Sequence, residues 1–252
     1  ADAGTTWVFK YDAKRGNIEG ATTARAFFKT IDPATGFSLT NFVWIDMTNV
    51  PDTWTSYELS FYIDPGLVGQ IFQFGFLSTA TFYEGSGIFY DNVNFLRSVD
   101  LDIKPESCPN PVSIRNRGLL PVAVLGSFAL DVYSIDAASL QLEGVAPVAV
   151  EYEDVAAPYT GDLCGCTEAG PDGFMDLTLK FRVQDIPKLL RAASTDNKLT
   201  VTGTLLDGTA FEGQDCYLNV GSLEDRGARR PLILEYRYDD VDTDLGVVDR
   251  RR

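Results

Sequence analysis

The stretch TSYELSFYIDPG, residues 55–66, sets the reading of the whole chain. Tyr57–Ile63 is a short run rich in aromatic and apolar residues, and it stops at Asp64-Pro65-Gly66, a turn signal. The same unit recurs on both sides of it, at Trp7–Tyr11, Thr22–Ile31, Phe37–Met47, Gln70–Phe76 and Gly87–Leu96, with Gly, Pro, Asn and Asp between the runs. Many short strands with such punctuation are the pattern of β-sandwiches, so the predicted class is all-β. Only Gln184–Ala192, with Ile186, Leu189 and Leu190 at helical spacing, predicts a helix, of about two turns.

Further along, Leu119–Leu125, Ala149–Val155, Phe174–Val183 and Leu199–Leu206 belong to a set of about eight candidate strands between Leu101 and Val220, enough for a complete Ig-like sandwich. The first segment has about six, fewer than the eight of a jelly roll. Charge and cysteine content change across Arg97–Asp100. The expected organisation is therefore an incomplete jelly roll over 1–97, a second sandwich over 98–222, and a linker, strand and charged tail over 223–252.

Composition narrows the function. At 252 residues, 45% apolar and 12% aromatic, the chain can bury one large or two ordinary cores. It has no histidine, which removes the commonest general base and the usual catalytic zinc ligand. A formal charge of −15 argues against nucleic acid or an anionic membrane surface as partner and makes divalent cations the natural counter-charge. Residues 98–222 hold 18 of the 36 acidic residues. They also hold all four cysteines, Cys108, Cys164, Cys166 and Cys216, which suit two disulfides in an oxidising compartment. A Cys164–Cys166 bridge would close a very short ring, so each of these two is expected to pair with Cys108 or Cys216. With no membrane-length apolar run and no signal peptide, the chain reads as a mature exported product or a piece of one, secreted or at the cell surface, without membrane insertion.

Two resemblances refine this. WVFKYDAKRG (7–16), TWTSYELSFYID (53–64) and GSGIFYDNVNF (85–95) resemble the later strands of a carbohydrate-binding-module jelly roll of the galactose-binding-like group. The resemblance implies a glycan ligand, and it implies a structural calcium at Asp91, the acid of the YDNV strand. The alternative is that Asp91 only accepts hydrogen bonds at a strand crossing. LDIKPESCPNPVSIRNRGLLPVAVLG (101–126) and GTLLDGTAFEGQDC (203–216) are similar to an accessory module of secreted and surface proteins of bacteria and archaea. That module's acidic run is interrupted here: Glu153, Asp154 and Val155 are followed by an insertion with Cys164 and Cys166, and the run resumes at Asp172, Gly173 and Asp176.

Calcium takes six to eight oxygens, which a tight loop supplies from spaced carboxylates around a turn-permitting glycine. In TEAGPDGFMD (167–176), Glu168, Asp172 and Asp176 lie four residues apart around Gly173. Asp154 and Asp162 would complete the set if the disulfides fold the insertion back. For a glycan, the stacking candidates are Trp44, Phe82 and Tyr83, with Glu84 beside them; Trp7 and Trp54 read as core, and burial is also the stronger reading for Trp44.

No GxSxG, HExxH, GxGxxG or P-loop pattern is present, and the acids cluster in loops rather than as a spaced catalytic pair, so no enzyme is expected. After the linker GSLEDRGARR (221–230), PLILEYRYDD (231–240) alternates as a strand that must pair with some edge. Residues 229–240 thus offer a second function class, a structural subunit joined to neighbouring copies by strand addition. The loop reading predicts that calcium raises the melting temperature and chelation lowers it. Scanning calorimetry checks it: an unchanged melting temperature under saturating calcium would contradict it.

Overall fold

The computed structural model describes residues 3–18, 20–80, 87–113, 115, 117–190 and 197–220. It is all-β. The first six strands are β1 (Thr6–Arg15), β2 (Thr23–Asp32), β3 (Ser38–Asp46), β4 (Thr55–Tyr62), β5 (Ile71–Thr79) and β6 (Ile88–Ser98). They form two antiparallel layers, β4-β1-β6 and β3-β2-β5. Strand alternation explains the layering. In β4, Leu59 and Phe61 are buried while Ser60 and Tyr62 are exposed, and in β2 Ala24, Ala26, Phe28 and Thr30 point inward. The core between the layers is aromatic: Phe9 and Tyr11 of β1 meet Phe28 of β2, Phe76 of β5 and Tyr90 of β6.

The later strands are β7 (Leu101–Ile103), β8 (Pro111–Val112), β9 (Leu119–Val124), β10 (Gln141–Leu142), β11 (Ala149–Glu153), β12 (Asp176–Arg182), β13 (Lys198–Thr204), β14 (Ala210–Cys216) and β15 (Leu218–Asn219). Sheet β11-β12-β9-β7 packs on β10-β13-β14, and β15 pairs in parallel with β8. Between the sheets lie Ile103, Val122, Val124, Leu177, Leu179, Phe181, Val201 and Phe211, a core separate from the first.

One pairing joins the two sandwiches. The end of β6 runs parallel to β14, Arg97 opposite Phe211 and Ser98 opposite Glu212, so a single sheet, β10-β13-β14-β6-β1-β4, crosses both. Val99 N–H donates to the Glu212 carbonyl at 2.9 Å and extends the contact by one residue.

The expected two-turn helix is corrected. Val183–Asp185 is a 3-10 turn and only Pro187–Leu190 (α1) is α-helical; residues 191–196 lie outside the described part. Proline at 187 starts a helix but lets none continue through it from Gln184. Ile186 and Leu189, read as a helical stripe, are buried in the second core from these two short turns.

Tyr11 and Tyr90 generate a prediction. Tyr11 Oη donates to Met47 Sδ at 3.2 Å inside the first core. Burial, reinforced by Tyr90 and Tyr57, pushes the Tyr11 phenol well above its ordinary value, and burial pushes Tyr90 up to about 12. A phenol with a raised folded-state pKa contributes stability in full below its ordinary value of 10.0 and loses it as pH rises from there through about 12. Denaturation midpoints should therefore fall over that window, and Tyr90→Phe should shrink the fall. Tyrosines that all ionise together near pH 10 in the folded protein would contradict it.

Candidate functional site

Because residues of β1 alternate, Val8, Lys10, Asp12 and Lys14 form one row on the side of β4-β1-β6 away from the aromatic core. Register places Glu58 and Asn94 beside Lys10, and Ser56 and Asp91 beside Asp12. The row spans about 20 Å. Its middle is a groove of about 390 Å³ lined by polar side chains, among them Asp12, Ser56, Asn92 and Asn94, with Tyr57. Asp12 accepts from Ser56 Oγ and Asn92 Nδ2, both at 2.6 Å, and these two bonds hold its carboxyl below the usual carboxylate range. Asn94 Nδ2 donates to the Asn92 carbonyl at 2.9 Å.

At one end of the row Lys14 Nζ sits 5.2 Å from the ring centroid of Trp54 and 5.5 Å from that of Phe89. Trp54 is 49% exposed, which corrects its reading as core: it precedes β4 and lies over the outer face beside Lys14. Trp44, also expected to be buried, is 43% exposed on the opposite outer face of the sandwich, paired with Phe27 and covered by the Arg25 guanidinium at 4.1 Å. Hydrophobicity marks both as core, but the outward phase of β3 decides Trp44. Trp7 is half-buried and stacks on Phe95 at 4.5 Å. Phe82, Tyr83 and Glu84 lie outside the described residues.

The other end of the row meets the junction of the sandwiches. Lys10 bridges Glu58 at 3.3 Å and the buried Glu212 of β14. Beyond it opens a cavity of about 220 Å³, lined by Glu58, Asp100, Asp162, Glu212 and Asp215 and by no Lys or Arg. Tyr159 covers it. Gly161 and Gly165 lie so close to the Tyr159 ring that a Cβ on either would come within 2.2 Å, so a side chain there would displace the ring from this position. Two disulfides, Cys108–Cys166 and Cys164–Cys216, tie the insertion to the start of the second sandwich and to the end of β14. Cys164 and Cys166 each bond a distant partner, as the short ring argument requires. Disulfides of this kind persist in a non-reducing environment.

The acids grouped by spacing are dispersed. Asp176 is fully buried and accepts N–H bonds from Gly126 (2.8 Å), Val155 (2.8 Å) and Ala156 (3.2 Å). Burial raises its pKa and these donors oppose the shift. Asp154 accepts from the N–H groups of Asp172 (3.0 Å) and Gly173 (2.9 Å), and Asp172 from that of Phe174 (2.9 Å). Glu168 is exposed, Asp162 stands at the junction cavity, and Asp91 is exposed on β6 with its carboxylate on the Asn92 N–H at 2.8 Å. Among the described residues no three Cys, Asp or Glu side chains converge on one ion position.

Asp100, Asp102, Asp215 and Glu212 were missed by motif reading. Asp102 is buried between Leu101 and Ile103 in β7, and burial, then Asp215 and Asp176, pushes its carboxyl up to about 7. Asp215, also buried, accepts the Ile103 N–H at 2.7 Å, Asn110 Nδ2 at 3.0 Å and the Cys216 N–H at 2.6 Å. For Asp102 the signal available was an acid between two apolar residues of a short strand, in DLDI. Comparison with family models, characterised proteins and solved structures returns no match.

Asp176→Ala should lower the unfolding free energy by about 3 kcal/mol or more in urea titrations, because it leaves three buried N–H groups without their acceptor. Asp172→Ala, which removes one exposed bond, should cost under about 1 kcal/mol.

Proposed function

We propose that the protein is an exported, non-catalytic glycan-binding protein that uses the open face of β4-β1-β6. The observation that carries this is the outward row of β1, where a groove of hydrogen-bonding side chains leads to an exposed tryptophan. Asn92, Asn94, Asp12 and Ser56 supply the amide, carboxylate and hydroxyl groups that recognise sugar hydroxyls, and Trp54 supplies a ring for a pyranose face. The length of the row suits several residues of a polysaccharide rather than one free sugar. The two disulfides support an extracellular setting. The resemblance of the first segment to carbohydrate-binding modules points the same way.

Titration of the full chain against plant, algal and bacterial polysaccharides, by calorimetry or affinity electrophoresis, tests the reading. For a glycan that binds, Trp54→Ala should weaken affinity by about 10-fold, equivalent to about 1.4 kcal/mol. Trp44→Ala, on the opposite face, should leave it unchanged. Silence across the whole panel would refute the proposal.

A specific feature favours a second reading, assembly by strand addition. Rings of β5 stack on rings of β6, Phe74 on Phe95 at 4.1 Å and Phe76 on Tyr90 at 3.6 Å, so these strands lie on the same side of the first sandwich. There β5 pairs only with β2, and β6 meets β14 only at Arg97 and Ser98, so among the described residues both sheets keep a free edge. Phe74 packs against Phe9 and Phe95 and is still 41% exposed, as a core ring at an unclosed side would be. The donor candidate, residues 229–240, lies outside the described residues. Electron microscopy of the full chain should show filaments that vanish when residues 229–252 are deleted; monodisperse particles from the full chain would exclude this reading.

A further inference from the structure

Beneath the junction cavity is a second, inner chamber of about 20 Å³, lined by Asp102, Asp215, Tyr159 and Thr167 among others. Asp215, Tyr159 and Gly165 line both spaces, so the chamber lies directly behind the wider cavity with its Asp100 and Asp162. The volume suits one water-sized occupant. No Lys or Arg lines the chamber, and the Lys10 ammonium beside the outer cavity is engaged with Glu58 and Glu212.

Within it the two carboxylates are unlike. Asp215 has three N–H donors. Asp102 is 9% exposed, and among the described residues no hydrogen bond or ion pair reaches its carboxyl group. A buried carboxylate without donors is costly by several kcal/mol, so native structures partner it, protonate it or place a cation on it. A second carboxylate in the same chamber increases the cost of leaving it bare.

We propose that the chamber between Asp102 and Asp215 is a binding site for one hard divalent cation, calcium being the natural occupant outside a cell. Two carboxylates define the site. The Thr167 hydroxyl, which accepts the Ala169 N–H at 3.0 Å and retains a further lone pair, and water entering from the outer cavity complete an oxygen environment of the kind calcium takes. This moves the calcium expectation from the Asp154–Asp176 loop, where Asp154, Asp172 and Asp176 accept backbone N–H groups, to the junction of the sandwiches. It does not rest on the glycan reading.

The test uses the full chain stripped with chelator, then given Ca²⁺ or Tb³⁺, the latter excited through tyrosine because Tyr159 lines the chamber. Saturating Ca²⁺ should raise the melting temperature by about 5 °C. Tb³⁺ emission should be displaceable by Ca²⁺ and should fall at least about 10-fold in Asp102→Asn, a loss of about 1.4 kcal/mol in binding. Asp102→Asn should also lose the melting shift while remaining as stable as the chelated wild type, since a neutral amide suits the chamber. Thr167→Val, a milder change at a half-buried loop position, should weaken Ca²⁺ without abolishing folding and covers the case in which Asp102→Asn does not fold. Asp172→Asn should leave both signals intact. The proposal is overturned by a wild type with no Ca²⁺ shift and no displaceable emission, in which case Asp102 is held as the neutral acid. It is equally overturned by signals that survive in Asp102→Asn and disappear in Asp172→Asn, which would place the ion in the loop.

Discussion

Two residue pairs of parallel ladder, Arg97 with Phe211 and Ser98 with Glu212, are what make this chain one body rather than two sandwiches on a tether. The pairing is short, and the side chains around it make it specific. Lys10 reaches across from β1 to Glu212, which would otherwise be a buried charge without a partner, a situation that costs several kcal/mol. Gly213 follows, where an added Cβ would stand 2.9 Å from the Val99 carbonyl oxygen, so a side chain there would push β14 off the start of the second sandwich. The groove, the Lys14–Trp54 contact and the acidic cavity follow one strand, β1, and the ladder sets the cavity end of that row against β14.

The disulfides act on the same junction from the other side. They connect cysteines 58 and 52 residues apart in the chain, and closing loops of that length removes conformational freedom from the unfolded state. In the folded state they fix the insertion against β14, and this brings Tyr159 and Asp162 over the cavity. Without them the interrupted acidic run would be a long excursion with few apolar contacts, since Tyr159, Leu163 and Phe174 are exposed.

The strands were legible in the sequence because each half-buried strand carries its own period and its own stop. Tyr57–Ile63 and Thr55–Tyr62 are the same strand read from pattern and from coordinates, and so are Leu119–Leu125 and Leu119–Val124. What pattern does not encode is which outer face a sandwich leaves uncovered. Trp54 and Trp44 look like core residues in a linear window, and only the register, Trp44 opposite Phe27 and Thr55 opposite Ala13, turns them to solvent. The helix failed for a different reason. Ile186 and Leu189 have helical spacing, yet within the described residues only Pro187–Leu190 is α-helical and a 3-10 turn precedes it, so the stripe was real and the helix begins later than Gln184. The candidate groove was invisible for a third: Asp12 and Asn92 stand 80 residues apart, and only the β1–β6 ladder brings them together.

Acidity is the property of this chain most easily over-read. A charge of −15 suggests cation binding, yet many of the aspartates are already engaged by hydrogen-bond donors, and three cases stand apart by what donates to them. Asp32, Asp46, Asp64, Asp131, Asp136, Asp172 and Asp207 each accept the N–H two residues on, the Asx-turn geometry that lets aspartate punctuate strands. These explain much of the acid content as turn chemistry and require no ion. Asp176 and Asp215 form a second population, buried and held by three donors each, where the carboxylate fastens N–H groups at or beside strand ends. Burial penalises both, and the donors return part of that penalty. Asp102 belongs to neither. It has the burial of the second population without its donors, and it faces a chamber that one of them also lines. Spacing in sequence singled out Asp154, Asp172 and Asp176, which backbone N–H groups engage, whereas among the described residues no donor reaches the buried Asp102.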